Sequence, residues 1–137
     1  MREFIFLIGI FDVFKGERGS LKYYKKQLSI YREYEADILI DMGVLKLEND
    51  DLENALIDFK SALKLYQKLE FTEGEAYTYN LIGDAYITAR NMDKGLKHYQ
   101  KSFKLYSSIR SDLKNELLKK IKETEKAKEA LELINKS

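Results

Sequence analysis

The sequence predicts an all-α protein, an array of antiparallel helix hairpins closed by a C-terminal capping helix. Three observations carry that expectation. The 137 residues contain no proline, the residue that interrupts helices. A pattern of small and aromatic residues recurs at a constant offset of 40, as expected of a repeated structural unit. Apolar residues fall at i, i+3, i+4 and i+7 through several long segments, the spacing of a helix with one buried face.

Composition narrows the function classes. The length suits one domain with its own core. There is no cysteine, which excludes disulfides, cysteine zinc sites and a cysteine nucleophile, and fits a cytoplasmic setting. Lys+Arg 24 against Asp+Glu 23 leaves a formal net charge of +1, too little to drive nucleic-acid binding. A single histidine, His98, cannot assemble a catalytic triad or a histidine metal site. It falls on the polar side of its segment and is expected to be exposed and inert. Asp50 and Asp51 read as helix-cap residues, and Gly16-Glu-Arg-Gly19 lacks the Lys-Ser/Thr of a phosphate loop. The sequence thus predicts no enzyme, no cofactor and no metal.

The elements follow in chain order. The run Phe4-Ile-Phe-Leu-Ile-Gly-Ile-Phe11 is far shorter than the ~20 residues that span a bilayer, and it reads as a buried helix. Residues 1–14 are apolar nearly all round, so they are expected to meet a second chain, giving a homodimer, or further repeats. A helix over Ser20–Glu35 carries Leu21, Tyr24, Leu28 and Tyr31, which match Leu56, Phe59, Leu63 and Tyr66 at an offset of 35. Leu39, Met42, Leu45 and Lys46 begin the next unit. Asn49-Asp50-Asp51 supply N-cap chemistry for a helix with Leu52, Ala55, Leu56, Phe59, Ala62, Leu63, Tyr66 and Leu69 on one side. Thr72-Glu-Gly-Glu75 reads as a capping box, and Asn91 caps the helix after that, with Asp93 in its first turn. A last helix over 112–134 has Leu113, Leu117, Ile121, Thr124, Ala127, Leu131 and Ile134 in one stripe, with lysine and glutamate opposite. Such a helix lets an array end in water.

Gly43 and Gly83 lie inside helices, where glycine costs about 1 kcal/mol against alanine. Each is followed at one fixed spacing by a small residue, Ala55 after Gly43 and Gly95 after Gly83, and then by an aromatic, Phe59 or Tyr99. The spacing predicts close helix approach at the glycine, with the ring filling the adjacent wedge. Most tyrosines, among them Tyr24, Tyr66, Tyr86 and Tyr99, fall at core spacing.

This pattern resembles the tetratricopeptide repeat. Tyr79, Ile82-Gly83, Tyr86, Gly95, Tyr99 and Ser102 fit the family's positions. So do Leu39, Met42-Gly43, Ala55, Phe59 and Ala62, although Lys46 stands where an aromatic is usual and the closing proline is missing. The 40-residue unit is similar to the longer repeats of kinesin light chains and peptide-responsive bacterial regulators. The resemblance implies a right-handed superhelix of about three repeats, 1–35, 36–75 and 76–109, with a cap over 112–135. It also implies a protein- or peptide-binding scaffold whose groove is lined by the first helices. By position the lining would be Phe6, Ile10 and Val13, then Ile40, Val44 and Leu47, then Tyr77, Asn80, Asp84 and Ile87. Apolar residues stand where a carboxylate clamp would need Lys, Arg and Asn, so the expected partner is an apolar or helical segment. The alternative is a structural domain that self-associates through its apolar N-terminal helix.

Overall fold

The computed structural model describes residues 20–137, and over these the chain forms five helices. They are α1 (Leu21–Glu48), α2 (Leu52–Lys68), α3 (Thr72–Thr88), α4 (Met92–Ser108) and α5 (Leu113–Lys136). Each packs on its neighbour in sequence, with α1 also touching α3 lightly, as in a helical repeat array.

The turns follow one rule. Asp50, Glu70, Arg90 and Arg110 all have positive φ, 54° to 61°, and stand evenly spaced at half the repeat period. The next N–H reaches back five positions each time: Asp51 to Lys46, Phe71 to Tyr66, Asn91 to Tyr86 and Ser111 to Tyr106, at 2.8–3.0 Å. This is the Schellman closure, which satisfies carbonyls left open at a helix end. Glycine usually occupies the left-handed position, and none does here, so glycine does not mark these turns in the sequence.

One step further back along that half-period lies Ile30. A β-branched side chain is the costliest to place in the left-handed region, and the chain does not turn there. Nor does it turn at the expected 35/36 junction. Ser20 caps α1, its Oγ accepting from Tyr23 N–H at 3.1 Å, and the helix runs 28 residues without a break. Tyr24, expected in a core, is exposed on its first half, as is Leu28, because no second helix packs there among the described residues.

The other caps divide. Asp51 and Asn91 accept from Asn54 and Lys94 N–H as expected. The capping box is not formed: Thr72 is the first residue of α3, the cap position is Phe71, and no side chain bonds there.

The core has two parts. Ala36, Ile40, Ala55, Phe59, Ala62, Tyr66, Ile82 and Ala85 join α1, α2 and α3. Ala76, Leu96, Tyr99, Tyr106, Leu117 and Ile121 join α3, α4 and α5. The mid-helix glycines explain themselves here. A Cβ on Gly43 would lie 2.7 Å from Phe59 Cδ1, and one on Gly83 would lie 2.5 Å from Tyr99 Cε1. Each ring sits where a side chain would otherwise be. A Cβ on Gly95 would come 2.8 Å from Ile87 Cγ1 and 3.4 Å from the Gly83 carbonyl, so this hairpin also needs its second small residue.

One period beyond Gly43 and Gly83, the equivalent position is Glu123 on α5. A glutamate cannot accept an aromatic ring against its backbone, and its side chain is exposed. Of the α5 stripe only Leu117 and Ile121 are buried, while Leu113, Leu131 and Ile134 stay exposed.

Candidate partner-binding site

The first helices of successive hairpins share positions one repeat period apart, and the structure brings several of these together on one face. Phe6, Ile10 and Val13 lie outside the described residues. Ile40 is 5% exposed and belongs to the core, so it offers little to a partner. Val44 and Leu47 are half-buried and pack on the first cluster. Ile87 is half-buried against Gly95. Tyr77 is 44% exposed.

Asn80 and Asp84 are tied together by a residue that the sequence reading did not include. Lys120 of α5 donates to Asn80 Oδ1 at 2.9 Å and to Asp84 Oδ1 and Oδ2 at 2.9 and 3.1 Å. Its Nζ also stands 5.5 Å from the Tyr99 ring centre, a cation–π distance. The Tyr99 hydroxyl donates to Asp84 Oδ1 at 2.5 Å. Burial first, and then that bond to Asp84, push the Tyr99 phenol well above its ordinary value. Projecting the period once more, from Ile40 to Asn80 to Lys120, would have found Lys120.

Because Lys120 can only donate, the Asn80 carbonyl must face it. The Asn80 amide N–H2 is left with no protein partner among the described residues. It sits one helical turn from exposed Tyr77. The face thus offers a neutral donor pair beside an aromatic surface, with the nearby charges already paired.

His98 is not the exposed residue expected. It is half-buried, with its ring 5.2 Å from that of Tyr86 and 6.1 Å from that of Tyr79. Its Nδ1 donates to the Lys94 carbonyl at 2.7 Å. Burial lowers its pKa from 6.5. Tyr106 is pushed up to about 12 by burial, and Glu75 is also raised by burial. These shifts belong to packing. No group of three or more His, Cys, Asp or Glu among the described residues could hold a metal, and no described helix is long and apolar enough to cross a membrane.

Consecutive helices packed hairpin on hairpin, with the same glycine-to-ring wedge in α1–α2 and in α3–α4, define a helical-repeat protein. A family model described as a tetratricopeptide repeat matches residues 34–108, more than half of the chain, and the chain belongs to that family. The family's members are commonly protein-interaction scaffolds and typically not enzymes. No curated protein is similar enough to match the chain.

Proposed function

We propose that this protein is a cytoplasmic, non-enzymatic scaffold that binds a protein or peptide segment on the face formed by α1, α3 and α5. The observation that carries the reading is Asn80, oriented by Lys120 with its amide donors free beside exposed Tyr77. A buried hydrogen bond to a peptide carbonyl is worth about 1 kcal/mol, and a tyrosine ring adds apolar contact at little entropic cost. Val44 and Leu47 extend the face towards α1 with apolar surface. That suits the non-polar side of a helix or an extended apolar segment. The charged groups Asp84 and Lys120 neutralise one another, so a partner selected by charge fits poorly.

Selection of binders from a random peptide display library tests the reading. Tyr77→Ala and Asn80→Ala, with helical content retained by circular dichroism, are expected to weaken selected peptides at least about tenfold, or 1.4 kcal/mol. Lys104→Ala, on the exposed side of α4, is the control. Equal binding by all three variants would refute a site on this face.

A further inference from the structure

One face of α1, along its whole length, presents a second surface, separate from the groove reading. Leu21, Tyr24, Leu28, Tyr31, Ile38, Met42 and Leu45 are 42–70% exposed. With Glu35 they alternate at spacings of three and four through the whole helix. At about 100° per residue, this stripe lies well round α1 from Ala36, Ile40 and Gly43, which pack on α2. Three-four spacing is the seam of a left-handed coiled coil. A shallow hollow of about 590 Å³ opens on the stripe between Tyr31, Tyr34 and Ile38.

We infer that this stripe pairs with the same stripe of a second copy, antiparallel, as a two-helix coiled coil. Two features select that occupant. The first is charge. Residues 21–32 carry Lys22, Lys25, Lys26 and Arg32 and no acid, whereas 33–48 carry Glu33, Glu35, Asp37, Asp41 and Glu48 against the single Lys46. Antiparallel pairing sets the basic half of one helix beside the acidic half of the other. Parallel pairing would set like against like along the entire seam, a destabilising arrangement.

The second feature is register. A twofold axis beside residue 33 places Leu21 opposite Leu45 of the second copy, Tyr24 opposite Met42, Leu28 opposite Ile38, and Tyr31 opposite Glu35. Every layer then joins the two alternating seam positions, as antiparallel coiled coils require. The one polar residue in the stripe meets the one group opposite that can satisfy it, with the Tyr31 hydroxyl donating to the Glu35 carboxylate. In a parallel pair Glu35 would face Glu35.

The chain has no cysteine, so introduced thiols report on register without background. Light scattering on the full chain is expected to give twice 16.1 kDa. Ile38→Glu should return it to the single-chain mass with its helical content unchanged. Leu28→Cys mixed with Ile38→Cys should cross-link through a short bifunctional thiol reagent. Leu28→Cys alone should not, because its two copies lie about 15 Å apart along the pair at the helical rise per residue. A monomer at high micromolar concentration, as expected if residues 4–14 of the same chain cover the stripe, would overturn the inference. So would a dimer that survives Ile38→Glu, or Leu28→Cys linking to itself as readily as to Ile38→Cys.

Discussion

The two hairpins, α1–α2 and α3–α4, have one backbone plan and two chemistries. Gly43 and Gly83 receive Phe59 and Tyr99 in the same way. Around these wedges the equivalent pairs differ together. Val44 and Phe59 are both apolar, while their counterparts Asp84 and Tyr99 hydrogen-bond at 2.5 Å. Lys46 and Asp58 form a partly buried ion pair at 2.6 Å, while their counterparts Tyr86 and His98 pack ring against ring. The wedge depends on size, since a ring must fill the space left by a missing Cβ. The flanking pairs depend on mutual satisfaction, since a buried polar group without its partner costs about 1–3 kcal/mol. They can therefore change character only two at a time.

That comparison can be broken most directly at the wedge. Phe59→Ala should lower the unfolding free energy by about 3–5 kcal/mol, the range for emptying a buried aromatic site. Tyr99→Phe keeps the ring and loses one hydrogen bond, so it should cost only about 1 kcal/mol. Urea denaturation reads both. Similar losses would mean that the hydroxyl, and not the ring, holds the second hairpin.

A smaller effect tests pairwise exchange. Val44→Asp alone puts a carboxylate beside Phe59, whose ring has no hydroxyl to donate, and should cost about 1–3 kcal/mol. Adding Phe59→Tyr, which recreates the Asp84–Tyr99 arrangement, should recover part of that loss. The coupling in a double-mutant cycle should be about 0.5–3 kcal/mol. Strict additivity would show that the two hairpins are not interchangeable at this pair.

The smallest expected effect is the pH response of the ring pair. Burial lowers His98 below 6.5, so between the two values the unfolded chain holds a proton that the folded chain does not. Stability therefore rises with pH through that window and is lost as pH falls below about 6.5. Glu75, raised from 4.5 by burial, contributes with the opposite sign. Comparing the protein with His98→Gln isolates the histidine: the variant should melt closer to its neutral-pH temperature at pH 5.5. An NMR titration of the single imidazole midpointing above 6.5 would contradict the buried stack.

Residues along the chain show why some of this was legible. Gly43, Ala55 and Phe59, and their equivalents Gly83, Gly95 and Tyr99, specify a packing that depends only on local spacing and side-chain volume. Asn80 and Asp84, four residues apart, could be placed on one face of α3 by the same local spacing. Their state could not, because Lys120 reaches them from a helix two elements further along the chain. His98 was misplaced because its own neighbours are polar, and the rings that cover it, Tyr79 and Tyr86, come from another helix. Tyr24 was misplaced in the opposite sense, since its helical spacing says nothing about whether a helix lies opposite.

The sequence by itself determined the all-helical class, the repeat period, the glycine–aromatic wedges and the polar outer face of the last helix. Each of these rests on backbone preference or on the volume of a few nearby side chains. Only the tertiary structure decided that α1 runs unbroken past Ile30 and Glu35, that the turns close at non-glycine left-handed residues, and that Lys120 pairs with Asp84 while leaving the Asn80 amide free. Those outcomes turn on which distant side chain arrives at a given place, and pairing between helices far apart in sequence is a property of the packed array and of no single helix in it.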